Sequence, residues 1–171
     1  MDIALLEKLL KCPLCDHELS YQGSAFSCRN NHCFRCQDNF IDFSVARDRS
    51  EIQESSRRSF EAEWCRYYPR LGWHSREVNH ERDMFLTYTR AMPNFFYNKI
   101  VVDAGCGNGR YINVVNTMCS IRPRLLIGIE LSDNALLASK NCSEFDNVVI
   151  FKMDLNDLPK VLREQIGRAH V

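Results

Sequence analysis

The stretch Val101-Val102-Asp103-Ala104-Gly105-Cys106-Gly107-Asn108-Gly109-Arg110 decides the fold of this 171-residue chain. An apolar β-branched run delivers a carboxylate, and three alternating glycines then turn the chain into a helical pattern. Glycine lets the backbone adopt positive φ and lets a ligand approach without a Cβ clash. A dinucleotide-binding loop would read Gly-x-Gly-x-x-Gly, but the third glycine here comes one residue sooner. The preceding carboxylate would repel a pyrophosphate, whereas it suits a ligand that carries an ammonium group.

Strand-like and helical patterns alternate downstream of this turn. Three apolar runs have the length of buried strands: Ile100–Val102, Leu125–Ile129 and Val148–Phe151. A helical pattern separates each run from the next, and the second helix begins at a capping Ser132 or Asp133. This order predicts parallel strands with crossover helices, the first half of a doubly wound sheet. We expect it to have helices on one side, an open edge and one uncovered face.

The sheet pattern stops after three strands. A complete doubly wound domain would need roughly 80–100 further residues. Residues 166–171 read Ile-Gly-Arg-Ala-His-Val, which matches one reading frame of a widely used sequencing adapter. We therefore expect a C-terminally truncated chain with a non-native tail, and the alternative is a genuine short C-terminus.

An acid follows each of the three predicted strands: Asp103, Glu130 and Asp154. The carboxyl ends of parallel strands meet at the edge where open α/β sheets bind ligands, so we expect these acids to converge there. Alone, Glu130 or Asp154 would be interpreted as a helix cap or a solvated acid. Together with the glycine turn they indicate a cofactor site, and Cys106 fits that turn as a small residue rather than as a nucleophile.

The turn resembles motif I of class I S-adenosylmethionine-dependent methyltransferases, Asp/Glu-x-Gly-x-Gly-x-Gly. The resemblance implies a Rossmann-like methyltransferase sheet with S-adenosylmethionine as its cofactor. It implies that Asp103 reaches the ammonium group of the methionine moiety, that Glu130 accepts both ribose hydroxyls and that Asp154 accepts from the adenine amino group. The glycines would make room for the cofactor, and Met153 and Leu155 would flank the adenine. The cofactor-binding set that the resemblance implies is Asp103, Gly105, Cys106, Gly107, Gly109, Glu130, Leu131, Met153, Asp154 and Leu155.

Five of the nine cysteines fall within the first 36 residues. An odd count without an export signal does not indicate a disulfide framework, whereas this clustering indicates a metal site. Cys12-Pro13-Leu14-Cys15 is a knuckle that can direct two thiolates at one ion. The second pair stays open among four donors: Cys28, His32, Cys33 and Cys36. Four protein ligands would make the site a structural zinc site, which would supply folding energy to a small unit.

Residues 9–43 resemble the zinc-ribbon domain of the tRNA-methyltransferase activator family, which is similar to the ribbon of certain ribosomal RNA guanine methyltransferases. The resemblance rests on the CPxC knuckle, on Cys28-Arg29-Asn30-Asn31-His32-Cys33-Phe34 and on a hydrophobic turn that ends in Asp42-Phe43. It implies the zinc ligands Cys12, Cys15, Cys28 and His32, with Cys33 and Cys36 as the alternative second pair. Arg35 and Asn39 depart from the family, which often has proline and glycine there.

Composition and the two resemblances together imply five parts. They are a zinc-ribbon domain (1–43), a polar linker (44–56), a helical lead-in (57–98), a partial S-adenosylmethionine-binding domain (99–165) and the expected non-native tail (166–171). The lead-in also resembles that of uncharacterised ribbon-bearing methyltransferases, with Ser59-Phe60 and Glu63-Trp64. We interpret Trp64 and Tyr111 as core residues, and a direct role in covering the cofactor is the alternative.

Composition limits the function classes. The 22 basic residues balance the 22 acidic ones, which argues against binding nucleic acid or a membrane by bulk charge. The N-terminus carries acids where a signal peptide needs cations, so we expect a cytoplasmic protein that binds neither membrane nor DNA. We expect a methyltransferase whose acceptor is an RNA or a small molecule, and the sequence names no catalytic base. The alternative is a non-catalytic zinc-ribbon module that docks a partner protein or RNA.

Overall fold

The computed structural model describes residues 1–45, 51–62, 66, 73, 75–118 and 122–163. Linker residues 46–50, Trp64 and the predicted tail lie outside the described residues. The helices are α1 (Ile3–Leu9), α2 (Glu51–Ala62), α3 (Ser75–Thr89), α4 (Arg110–Met118), α5 (Asn134–Asn141) and α6 (Leu158–Val161). The strands are β1 (Ser20–Tyr21), β2 (Ala25–Ser27), β3 (Cys33–Gln37), β4 (Phe40–Asp42), β5 (Ile100–Ala104), β6 (Leu125–Glu130) and β7 (Val148–Lys152). Short 3-10 helices cover Pro93–Phe96 and Leu155–Asp157.

The strands form one sheet in the order β1-β2-β3-β4-β7-β6-β5. β1 to β4 pair antiparallel as a ribbon, whereas β5, β6 and β7 pair parallel. α4 connects β5 to β6, and α5 connects β6 to β7. The predicted fold class is confirmed at the level of a mixed α/β sheet with helices: a small β ribbon and a helical lead-in precede three parallel strands of Rossmann-like arrangement. Each parallel strand contains the apolar run that predicted it and extends one or two residues further.

The ribbon is continuous with the parallel strands, which the sequence did not predict. β4 pairs parallel with β7, with Phe40 opposite Ile150 and Ile41 opposite Phe151. Asn39 strengthens this junction, because its amide donates to the Ser139 carbonyl (3.2 Å) and its oxygen accepts from the Ser139 hydroxyl (2.6 Å). The departure from glycine at position 39 therefore has a structural reason.

Both faces of β6 and β7 are covered, so the expectation of an uncovered face is wrong for these two strands. β5 is half-buried from Ile100 to Asp103 and exposed at Ala104. Alternate residues of β6 enter two apolar clusters, with Ile127 on one face and Leu126 on the other. α4 and α5 cover the Leu126 face, whereas α1, the ribbon and α6 cover the Ile127 face. α1 begins at Asp2, whose carboxylate accepts from the Leu5 N–H (3.0 Å), and it buries three leucines there. The predicted open edge is present, since β5 is the last strand of the described sheet.

The lead-in is helical from an earlier residue than predicted. α2 begins at Glu51, inside the stretch predicted as a linker, and ion pairs of Arg57 with Glu54 (2.7 Å) and Glu61 support it. α3 ends at Thr89, ahead of the 3-10 helix that Pro93 begins. No helix in the described parts of the chain is long and apolar enough to span a membrane.

Candidate functional site

Four side chains of the ribbon converge on one point: Cys12, Cys15, Cys28 and His32. Their donor atoms lie within 4.8 Å of one another. The Nδ1 atom of His32 is 3.3–3.5 Å from the three sulfurs, and the sulfurs of Cys15 and Cys28 are 3.6 Å apart. A zinc ion with bonds of about 2.3 Å to sulfur and 2.0 Å to nitrogen requires tetrahedral edges of about 3.5–3.8 Å. The donor set therefore fits a closed tetrahedral zinc site with no position left for a substrate.

Two tight turns shape this cluster. Asp16 and Asn31 adopt positive φ (63° and 61°), and their N–H groups donate to the carbonyls of Cys12 and Cys28. Burial raises the pKa of the Cys12 thiol to about 11. Burial also acts to raise the pKa of Cys28, but the backbone N–H groups of Asn30 and His32 and the neighbouring thiols bring it down to about 7. The second turn thus favours a thiolate, the form that binds a metal.

The alternative second pair lies outside the cluster. Cys33 and Cys36 stand on opposite faces of β3, with Cys33 exposed and Cys36 buried. Burial raises the pKa of the Cys36 thiol, and Asp38 adds to the rise. His17, which is not part of the predicted ligand set, lies beside the cluster with its Nδ1 3.2 Å from the Cys15 sulfur.

The glycine turn joins β5 to α4 at the carboxyl edge of the sheet. Gly105, Gly107 and Gly109 all have positive φ (84°, 55° and 83°), which only glycine adopts readily. A Cβ built on Gly105 would meet no atom within 4 Å, so the chain leaves space at this point for a ligand. A Cβ on Gly109 would lie 2.9 Å from the Cys142 sulfur, so this glycine allows α4 to pack closely on α5.

Asp103 is the penultimate residue of β5, two positions before the first glycine of this turn. The residue is half-buried, but its Oδ2 atom is fully buried and has no hydrogen-bond partner among the described residues. Burial raises the pKa of Asp103 to about 6, an effect that Arg110 opposes and Glu130 increases. An unsatisfied buried carboxylate oxygen beside open space is suited to a cationic donor such as an ammonium group.

Glu130 ends β6 and holds the turn from the other side. Its Oε2 accepts from the Gly107 N–H (3.2 Å), and its Oε1 accepts from the N–H (2.9 Å) and hydroxyl (2.7 Å) of Ser132. Three of the about four acceptor positions of a carboxylate are therefore filled. Two ribose hydroxyls could both bind here only if one of these protein donors moved away.

The residues after β7 divide between core and surface. Met153 is buried against the ribbon, and its N–H donates to the Glu130 carbonyl (3.0 Å). Asp154 is half-buried, and its Oδ1 accepts from the backbone and side-chain N–H groups of Asn156. Leu155 is exposed. Leu131, which follows β6 rather than β7, is half-buried. Of these residues, Asp154 and Leu155 face solvent at the edge that carries the glycine turn.

Cys106 occupies a core position beside the turn, whereas Tyr111 is half-buried and lines a cavity together with Asp103. Cys106 is buried, and burial together with the charges of Asp103 and Glu130 raises the pKa of its thiol, which disfavours the nucleophilic thiolate. The Tyr111 ring packs against Phe85 of α3 (5.6 Å between centroids) and beneath the Arg110 guanidinium (4.6 Å). Tyr111 therefore links the lead-in to the glycine turn.

The structure adds two polar residues that the sequence did not single out, Glu81 and Asn141, and each contacts a residue of the glycine turn. Glu81 of α3 is buried and pairs with Arg110 at 3.4 Å. The Asn141 amide donates to the Asn108 carbonyl (3.0 Å), and the Asn108 side chain accepts from the Arg110 N–H (3.1 Å). No local pattern marks Glu81 as buried. Its role could be predicted only by pairing an acid on a predicted helix with Arg110, which lies 29 residues later.

Comparison with solved structures finds partial similarity to two methyltransferases. No protein-family model matches the sequence, and no curated protein matches it. A structure from Pyrococcus horikoshii named as an RNA methyltransferase is 20% identical with a TM-score of 0.34, covering 47% of this chain and 37% of that one. A SAM-dependent methyltransferase from Anabaena variabilis is 15% identical with a TM-score of 0.36, covering 64% of this chain and 42% of that one. The chain thus spans about two fifths of the length of these structures, and the interpretation of its site rests on geometry.

Proposed function

We propose that this chain is the metal-ribbon and cofactor-binding part of an S-adenosylmethionine-dependent methyltransferase. The observation that carries the proposal is Asp103, a buried carboxylate with an unpartnered oxygen beside the open space at Gly105. S-Adenosylmethionine has an ammonium group that matches this acceptor, whereas a nucleotide pyrophosphate would meet electrostatic repulsion.

The remaining acids support the same orientation of the cofactor. Glu130 follows β6, the strand beside β5, and Asp154 follows β7, the next strand of the sheet, in the order that ribose and adenine would require along the edge. Leu155 offers an exposed apolar side chain next to Asp154. When bound, the cofactor would supply an electrophilic methyl group, and the residues named here would bind and orient it.

Binding of S-adenosylhomocysteine, measured by isothermal titration calorimetry, tests the proposal without requiring an acceptor. We expect saturable 1:1 binding to the full chain, which the Asp103→Asn variant weakens by at least tenfold. Asp146→Asn is the matched control, because Asp146 is exposed and forms a surface pair with Arg122. Absence of binding to a folded, metal-loaded chain would overturn the proposal and favour a non-catalytic ribbon module.

We propose zinc as the metal of the ribbon. Metal analysis of the purified chain should give one zinc per molecule, because four donors fit one tetrahedral ion. Cys28→Ser should lower this stoichiometry, whereas Cys33→Ser should leave it unchanged, since Cys33 lies outside the cluster. Equal loss of zinc in both variants would refute the assigned ligand set.

The methyl acceptor is proposed to be RNA or a small molecule. Transfer of a labelled methyl group to total RNA, compared with transfer to a small-molecule fraction, distinguishes the two. Label that follows the RNA fraction and disappears after ribonuclease treatment would assign the RNA class.

A further inference from the structure

The ribbon reaches the proposed cofactor site through the β4–β7 junction. Ile41 lies opposite Phe151 and Asp42 opposite Lys152, and the Phe43 N–H then donates to the Lys152 carbonyl (3.0 Å). Lys152 is the last residue of β7. The ribbon strand is therefore hydrogen-bonded to β7 up to the point where the chain leaves the sheet for Met153 and Asp154.

Three buried aromatic rings connect this junction to the metal cluster. Phe34 lies on β3, two residues after the proposed ligand His32. Its ring centroid is 5.1 Å from that of Phe43. Phe43 in turn packs edge-on against Phe151 at 5.2 Å. Cys12 and Met153 belong to the same apolar cluster. Because close-packed interiors transmit displacement, disorder at the metal turns would reach the carboxyl end of β7.

We propose that the metal-bound ribbon positions the adenine end of the cofactor pocket, with Phe43 as the positioning residue. The inference rests on the proposed function. It goes beyond a stabilising role because it predicts which end of the cofactor pocket is disturbed first when the metal is lost. β7, which precedes Asp154, borders the ribbon, whereas β5, which carries Asp103, lies at the opposite end of the sheet. Loss of the metal should therefore disturb the Asp154 side before the Asp103 side.

Hydrogen exchange with mass spectrometry tests that direction on the full metal-loaded chain. After treatment with a zinc chelator, amides of residues 148–154 should exchange at least tenfold faster, while those of residues 100–105 should change less than threefold. Equal loss of protection at both ends, or no change at residues 148–154, would overturn the inference. This readout does not depend on cofactor binding, so it separates failure of the inference from failure of the proposed function.

A matched pair of variants tests the role of Phe43 while the metal stays bound. Phe43→Leu should weaken S-adenosylhomocysteine binding about tenfold, which corresponds to about 1.4 kcal/mol. Phe26→Leu is the control, because Phe26 is an equally buried ribbon aromatic that contacts Tyr21 and lies on β2, three strands from β7. Both variants should retain one zinc and lose similar thermal stability. Equal weakening of binding in both would show that Phe43 acts only through global stability and would overturn its assignment.

Discussion

Replacement of Asp103 by asparagine is expected to stabilise the fold at neutral pH, although the same change weakens the proposed cofactor binding. Burial raises the pKa of Asp103 from 3.8 to about 6, while Arg110 opposes and Glu130 increases the rise. Since one pKa unit corresponds to about 1.4 kcal/mol, keeping this carboxylate ionised inside the fold costs about 3 kcal/mol above pH 6. Asparagine preserves the shape without the charge, so we expect the free energy of unfolding to increase by about 1–3 kcal/mol.

The pH dependence of this gain has a definite sign. Below pH 3.8 the carboxyl is protonated in both the folded and the unfolded chain, and its ionisation costs nothing. Between pH 3.8 and about 6 the unfolded chain ionises while the folded chain still holds the proton, so the wild-type fold loses stability as the pH rises. Asp103→Asn should lack this loss, and its advantage should grow across that window and then stay constant.

Urea unfolding at a series of pH values between 3.5 and 7.5 measures the difference directly. Asp146→Asn should change the free energy of unfolding by less than about 0.5 kcal/mol, as surface substitutions usually do. A variant at position 103 that is less stable than the wild type at pH 7.5 would refute the reasoning, because it would mean that the ionised carboxylate is well satisfied inside the fold. Calorimetry at pH 6 in two buffers adds a second check, since binding of an ammonium group should release protons from Asp103.

Three further predictions concern the surroundings of the site. Gly109→Ala should lower the thermal unfolding temperature, because positive φ and a close contact with the Cys142 sulfur at the end of α5 together cost about 1–3 kcal/mol. Gly105→Ala should lower this temperature less, because the added Cβ would meet open space. Glu81→Gln should destabilise the chain by about 1–2 kcal/mol in urea unfolding, because Arg110 loses a charged hydrogen-bond partner. Asn39→Ala should cost about 1–2 kcal/mol through two lost hydrogen bonds to α5, and it should speed hydrogen exchange in β4.

Local patterns in the sequence predicted the parts of the structure that depend on neighbouring residues. The β-branched runs located the parallel strands, and the spacing of Cys12 and Cys15 located the first turn of the Cys/His cluster. The β4–β7 pairing could not be predicted in this way, because β4 has only three residues and its partner lies more than 100 positions later. The pair of Glu81 with Arg110 was missed for a different reason: an acid on a polar helix face is usually solvated, so nothing in the local pattern indicates a buried ion pair.

The composition of β6 nevertheless contained a signal for the covered second face. Leu125-Leu126-Ile127-Gly128-Ile129 is apolar without alternation, and all five residues are buried. A strand with one solvated face would alternate between apolar and polar residues, so a continuous apolar run requires two covering layers. The helices that follow β5 and β6 supply one layer, and the second must come from elsewhere in the chain. The three leucines of α1 and the apolar residues of the ribbon are the groups that supply it. The ribbon is thus a structural layer of the sheet as well as the proposed metal site, which is why loss of a bound metal should influence a pocket formed by the parallel strands.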